Sequence, residues 1–332
     1  MVVSKDPAQA DYIMHNDPRF TVRSCPACNS KERHILFDLK AEQFCVANWT
    51  YLDNFDELLQ IPKDARFPID ECVSCGFVYA RLLPSPDFLL RVYDKVISYK
   101  KCREGSENRI SYAARMHYIA TLLELTPQRE PLKVLDFGCG LGISLRLLTS
   151  VNVEAVGYDP SPLRRDYVQK TRCEIFNDEQ KLSTSGPYDI VICESVLEHV
   201  PEPMRTLELI ASLCTNGSVL YISVPSYEKT FIKEQLGTVK KGLPVNMTLN
   251  PWEHLNYFNQ CQLDRMLRIC SFGAVKSSEL PGHVNIGLRP EHKIVSRLKN
   301  SMASALRLVR YAALGRSQRS INASFYRFSG RP

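Results

Sequence analysis

The chain has 332 residues, 44% hydrophobic and 23% charged, with a formal net charge of +6. That is ordinary globular composition, with length for one large domain plus a smaller one, and it shows neither internal repeats nor low-complexity blocks. Met1-Val-Val-Ser-Lys-Asp leads into no apolar run, and no stretch is apolar for long enough to span a bilayer; the expectation is a soluble, cytoplasmic protein with no secretory signal.

The charge is uneven. From Arg289 to Pro332 ten Lys/Arg stand against Glu291, a net +9 that leaves −3 for the rest of the chain. The body is mildly acidic and the tail basic. Of twelve cysteines, eight are scattered and four form two Cys-x-x-Cys pairs, a pattern that suits a metal site in a reducing compartment better than a disulfide framework.

A loose lead-in over residues 1–24 precedes a cysteine-bounded segment running from Cys25 to about Pro86, where Leu-Leu-Pro-Ser-Pro reads as a linker. Asp87–Tyr99 and Asn108–Leu125 read as helices, the second with Ile110, Ala114, Tyr118 and Leu122 at four-residue spacing. Strand and helix signals then alternate. Strands are expected at Lys133–Phe137, Glu154–Tyr158, Cys173–Phe176, Tyr188–Cys193 and Ser218–Val224, with helices at Ile143–Ser150, Pro162–Lys170 and Met204–Cys214. An irregular stretch to Pro251, a helix at Gln260–Cys270 and strands at Ala274–Leu280 and His283–Leu288 complete an α/β domain over residues 87–290. Residues 291–332 form the basic tail, in which Lys293–Leu314 carries an apolar stripe at helical spacing.

Asp136-Phe-Gly138-Cys139-Gly140-Leu-Gly142 follows the first of these strands and opens a helix. Glycines suit a backbone that turns sharply and approaches a ligand closely. The spacing is Gly-x-Gly-x-Gly, not the Gly-x-Gly-x-x-Gly of dinucleotide folds, and it favours S-adenosylmethionine over NAD. Asp159, at the end of the next strand, is placed to accept from both ribose hydroxyls; as a bland alternative it is a turn acid before Pro160.

This order of residues resembles the class I S-adenosylmethionine-dependent methyltransferase superfamily, and continues through Tyr188-Asp189-Ile190-Val191, Leu197-Glu198-His199-Val200-Pro201, Asn216-Gly217 and Val224-Pro225. The resemblance implies a Rossmann-like seven-stranded sheet whose last hairpin is antiparallel. It also implies that Asp136, Gly138, Cys139, Gly140 and Gly142 line the cofactor, that Asp159 holds its ribose, that Asp178 meets the adenine and that Glu194 faces the transferred methyl. Glu194 equally fits a solvated acid at a helix start.

Cys25-Pro-Ala-Cys28 and Cys72-Val-Ser-Cys75-Gly76 supply four thiolates at two turns, enough to fill the tetrahedral shell of a structural Zn2+. A four-cysteine segment ahead of such a domain is similar to the front end of sugar C-methyltransferases. Between the pairs lie Phe37, Phe44, Trp49, Tyr51 and Phe55, which either cover an acceptor or fill a small core.

Methyl transfer needs alignment and, for a hydroxyl nucleophile, a base. His199 and His254 are the candidates, the latter in a loop with Trp252, Tyr257 and Phe258 that reads as an acceptor lid or as a fixed structural loop. Related O-methyltransferases use Glu-x-x-Glu-His with a later histidine to hold a divalent metal; Ser195 replaces the first carboxylate here, so a catalytic metal is not expected. The expected function is methylation, foremost at oxygen, of a small-molecule or glycan acceptor. An RNA methyltransferase gripping nucleic acid through the cysteine segment and tail, and a non-catalytic cofactor-binding scaffold, are the alternatives. The basic tail also suits peripheral contact with an anionic membrane.

Overall fold

The computed structural model describes residues 17–44, 60–127, 131–161, 173–276, 278–281 and 321–330. In chain order the strands are β1 (Phe20–Val22), β2 (Arg33–Lys40), β3 (Arg66–Cys72), β4 (Val78–Ala80), β5 (Leu82–Pro84), β6 (Leu132–Phe137), β7 (Val153–Tyr158) and β8 (Glu174–Phe176). They continue with β9 (Tyr188–Glu194), β10 (Cys214–Pro225), β11 (Asn256–Tyr257), β12 (Phe272–Ala274) and β13 (Ile321–Phe328). Two units share these strands. One takes the chain up to Asn108 together with Val196–Glu208 and Tyr227–Met266; the other takes Arg109–Ser195, Leu209–Ser226 and the chain from Leu267. No helix of the described residues is long and apolar enough to cross a membrane.

In the first unit β11, β4, β3 and β2 form a four-stranded antiparallel sheet, and β1 pairs with β5. The expected boundary after Pro86 is thereby corrected to Asn108, with two later segments returning. The reason is physical: β4 takes β11 as its outer partner, and the core of this unit takes Tyr227, Phe231, Leu249 and Trp252 from those segments. Phe44, Phe67 and Phe88 meet the Trp252 ring edge-on at 5.1, 5.4 and 5.7 Å, each such pair adding about 0.5–1.5 kcal/mol beyond its burial. Phe37 and Phe44 are core residues; Trp49, Tyr51 and Phe55 lie outside the described residues.

Two helix expectations change here. Asp87–Tyr99 is not one helix: an α-helix over Pro86–Arg91 runs into a π-turn at Val92–Val96, and a new helix begins at Tyr99. The stretch expected to be irregular contains a helix at Lys229–Lys240, which buries Phe231 and Gln235.

The second unit holds the seven-stranded sheet, ordered β12-β13-β10-β9-β6-β7-β8. From β10 to β8 all neighbours are parallel, and β13 runs antiparallel to both β10 and β12. This is the expected Rossmann-like architecture with an antiparallel last hairpin. The central parallel strands β6 and β9 are buried apolar runs, as sheets covered on both faces require. The helix Arg109–Leu125 buries Tyr118, Ile119, Leu122 and Leu125, whereas Ile110 is 53% exposed, so only the second half of the expected stripe packs.

The sheet closes later in the chain than expected. The strand sought at Ala274–Leu280 is Phe272–Ala274, and its partner is Ile321–Phe328, inside what reads locally as basic tail. The domain edge at residue 290 is corrected accordingly. Phe325, Tyr326 and Phe328 are buried, and Arg327 donates to the carbonyls of Gly217 and Leu125 at 3.4 and 3.2 Å, so at least one tail cation serves the sheet. The helices expected at Pro162–Lys170 and Lys293–Leu314 and the strand expected at His283–Leu288 lie outside the described residues.

Candidate functional site

In the second unit the chain leaves β6 through Gly138, Gly140 and Gly142, with φ of 77°, 50° and 66°. That is the left-handed region, open to glycine at no steric cost. Gly138 and Cys139 donate their N–H groups to the Tyr158 carbonyl at 2.7 and 3.0 Å, and Gly140 N donates to Asp159 Oδ2 at 2.9 Å. Ser161 N donates to Asp159 Oδ1 at 2.9 Å. Asp159 is thus fixed against the loop by two backbone N–H groups, one on each carboxylate oxygen. Cys139 is buried; an added Cβ at Gly157 would lie 2.9 Å from its Sγ, so the thiol packs against β7 and the residue's part in the loop is played by its backbone.

Asp136 is almost fully buried. Its burial, then the charge of Glu194 and, more weakly, that of Asp159, push its carboxyl up to about 7 against the pull of Arg115. Glu194 Oε2 receives Arg115 Nη2 at 3.0 Å and the Tyr118 hydroxyl at 3.3 Å; that hydroxyl also lies 2.7 Å from Ser144 Oγ. Arg115 and Tyr118 were not anticipated as site residues. Their signal is their position on the inward face of Arg109–Leu125, which only the packed helix reveals. Asp178 is exposed and caps the helix Glu179–Ser185, its Oδ1 accepting from Gln180 N at 2.8 Å.

In the first unit two backbone carbonyls set the protonation of two histidines. His199 Nδ1 lies 2.8 Å from the Glu253 carbonyl, with the Tyr93 hydroxyl at 3.2 Å. His254 Nδ1 lies 2.9 Å from the Thr248 carbonyl, which also accepts from the Tyr227 hydroxyl. A carbonyl can only accept, so each Nδ1 carries a proton, and in the neutral ring Nε2 holds the lone pair; His199 Nε2 lies 3.7 Å from Glu198 Oε1. The rings meet edge-on, with centroids 4.8 Å apart. Burial lowers the His254 pKa below 6.5, with Glu253 and the Thr248 carbonyl pulling the other way. Trp252, Tyr257 and Phe258 are at most 1% exposed: they fill the core, which corrects the reading of this loop as an aromatic lid. Tyr93, on the π-turn, is a further residue of this pair that local sequence did not mark. Glu198, His199 and His254 place donor atoms within 4.8 Å of one another, close enough to share a cation.

The four cysteines of the same unit converge. Cys25 and Cys75 Sγ lie 3.6 Å apart, as do Cys28 and Cys72 Sγ, and all four sulfurs fall within 4.8 Å of one another. A tetrahedral zinc with bonds of about 2.3 Å needs sulfurs about 3.8 Å apart, so the set fits that ion. The residue after each pair, Asn29 or Gly76, takes a left-handed φ of 59° or 73°.

A family profile described as a methyltransferase domain matches residues 109–272. Those residues are a methyltransferase domain. Its match begins where the second unit begins and stops at the first residue of β12, short of the β13 that completes the sheet. The ubiquinone biosynthesis O-methyltransferase of Escherichia coli is 29% identical over 153 residues, which is 40% of this chain and 62% of that one. The chain therefore spans under two thirds of the length of these curated relatives. Among solved structures, a SAM-dependent methyltransferase from Archaeoglobus fulgidus is 16% identical with a TM-score of 0.42, over 73% of this chain and 100% of that one. A plantazolicin methyltransferase solved with a triazolic desmethyl analogue and SAH is 17% identical with a TM-score of 0.48, over 73% and 95%.

Proposed function

We propose that the protein transfers the methyl group of S-adenosylmethionine to a small-molecule or glycan acceptor, foremost to a hydroxyl, with His254 as the base and His199 beside it. The carrying observation is that Nδ1 of each imidazole faces a backbone carbonyl, which places a proton there and makes Nε2 the basic nitrogen of the neutral ring. Methyl transfer from a sulfonium is an in-line displacement: the acceptor oxygen bonds to the methyl carbon as the carbon–sulfur bond breaks, the electron pair stays on sulfur and the hydroxyl proton passes to the base. The name of the Escherichia coli relative, an O-methyltransferase, supports a hydroxyl acceptor.

The cofactor-binding half follows from charge. S-adenosylmethionine carries an ammonium, a carboxylate and a sulfonium, and the second unit gathers Asp136, Asp159 and Glu194 with Arg115. Acids take the cationic groups and the ribose hydroxyls, and the guanidinium takes the carboxylate. Asp159→Ala is expected to abolish binding of S-adenosylmethionine and S-adenosylhomocysteine in isothermal titration of the folded protein. Retained affinity would remove the ribose role.

Asp136 adds a pH signature. Its raised pKa means that it takes up a proton as pH falls through about 7, whereas a bound ammonium requires the carboxylate. Cofactor affinity should therefore weaken below neutrality, by up to about tenfold per pH unit. Asp136→Asn should flatten that profile.

A second reading has a specific observation behind it. The Glu198, His199 and His254 donors would also hold a divalent cation, and an Nδ1–H bonded to a carbonyl is the usual outer partner of a metal-bound histidine. Methyl transfer by protein that keeps its cysteine-bound zinc but is freed of magnesium and other loosely held cations favours the base alone; transfer restored by added magnesium favours the cation.

A further inference from the structure

Arg23 lies between the end of β1 and Cys25, and its guanidinium gathers oxygens from distant stretches of the first unit. Nε donates to the Ala80 carbonyl at 2.8 Å and Nη1 to the Pro201 carbonyl at 2.9 Å. Nη2 donates to the Leu255 carbonyl and, at 3.2 Å, to Asn256 Oδ1. The guanidinium carbon stands 5.5 Å from the centre of the Tyr79 ring.

Asn256, fully buried on β11, continues the connection. Its Nδ2 donates to the carbonyls of Leu197 and Val200 at 2.8 and 2.7 Å. The N–H groups of Leu255 and Asn256 donate to the Glu198 carbonyl at 2.6 and 3.1 Å. The segment Leu197–Pro201, which carries His199, is thus bound along its length to Glu253–Asn256, which carries His254. Arg23 ties together the Pro201 end of one and the Leu255–Asn256 end of the other.

The chain that presents this guanidinium enters the four-cysteine knuckle within two residues. Arg23 N donates to the Arg81 carbonyl at 3.1 Å and Cys25 N to the Ser30 carbonyl at 2.9 Å, so the backbone on both sides is held. A planar fork suits several carbonyls in fixed directions; a lysine ammonium, a point charge on a flexible stem, does not reproduce it.

We infer that Arg23 and Asn256 are positioning residues that hold His199 and His254 in their paired orientation, and that the cysteine knuckle acts on that pair through Arg23. The inference rests on the histidines being the reactive pair. It adds a role for the front segment that does not require it to touch an acceptor: the knuckle fixes the tautomers from outside.

The test is nitrogen NMR of imidazoles in the full, zinc-loaded chain labelled at histidine, with His199→Gln and His254→Gln assigning two of the seven histidines. In the parent both should show protonated Nδ1 and bare Nε2. Arg23→Lys and Asn256→Ser should each shift at least one of the pair toward the Nε2–H form while cofactor affinity stays within about twofold, since neither residue is among those proposed to hold the cofactor. Cys28→Ser, which takes the exposed member of the set and leaves the buried Cys25 and Cys72 with Cys75 to hold the ion, should give the same shift as Arg23→Lys, and the double variant no more than either. The inference is overturned by a parent without the Nδ1–H forms, by folded variants with parental tautomers, or by additive shifts in the double variant. Two positions on opposite sides of the connection guard against one failing to fold. The readout needs no acceptor, so failure of the base reading stays separate: it would appear as His254→Gln retaining parental methyl transfer.

Discussion

Replacing His254 by glutamine is expected to lower kcat/KM for methyl transfer by about 10²–10⁴, the usual worth of a positioned general base, with cofactor affinity unchanged. Glutamine keeps a polar group near the Thr248 carbonyl but supplies no basic nitrogen. Counting transferred radiolabelled methyl on hydroxyl-bearing acceptors measures it, and a loss of less than tenfold would count against the base. Because burial lowers the His254 pKa, the acid limb of the parent's rate profile should lie below pH 6.5, with the rate rising to a plateau as the imidazole loses its proton. Stability has the same sign. The unfolded histidine titrates near 6.5 and the folded one lower, so the stability from keeping it neutral is complete above 6.5 and is lost as pH falls through the folded value. Urea midpoints measured on both sides of pH 6.5 should fall on the acid side, and fall less in His254→Gln.

Zinc removal should have the larger structural effect. The purified chain is expected to carry about one zinc, and stripping it, or replacing Cys72 by serine, should unfold the first unit, because a site of this type holds its ion with about 10–16 kcal/mol of apparent binding energy that is also folding energy. Trp252 reports the event: it is 1% exposed beneath Phe44, Phe67 and Phe88, and its emission should move to the red as that core opens. A Trp49→Phe background leaves Trp252 as the remaining tryptophan. Unchanged emission in a demonstrably zinc-free protein would remove the structural metal.

Features set by neighbouring residues were legible in the sequence. Lys-Val-Leu-Asp-Phe and Tyr-Asp-Ile-Val-Ile-Cys are continuous apolar runs because both faces of a parallel sheet are covered, and the glycines after Phe137 are the residues that left-handed turns admit. The Cys-x-x-Cys pairs were legible for the same reason, since two thiolates at one turn form a local pattern. What failed depended on partners far away. Trp252, Tyr257 and Phe258 look alike in sequence whether they line a lid or a core, and only the return of Tyr227–Met266 to the first unit decides it. Arg23 and Arg115 gave no signal, because an arginine's neighbours along the chain do not reveal the carbonyls or carboxylates that surround it in space.

The lateness of β13 bears on how the protein is made. Strand β10 pairs with β9 on one side, but its other edge, Val219–Pro225, waits for Ile321–Phe328. While the ribosome adds the intervening residues, the nascent sheet presents an open row of backbone donors and acceptors beside Tyr221, an edge able to pair with another chain. The last step of assembling this sheet is thus tied to the arrival of a distant segment, and synthesis that stalls between Pro225 and Ile321 would release a chain with that edge uncovered.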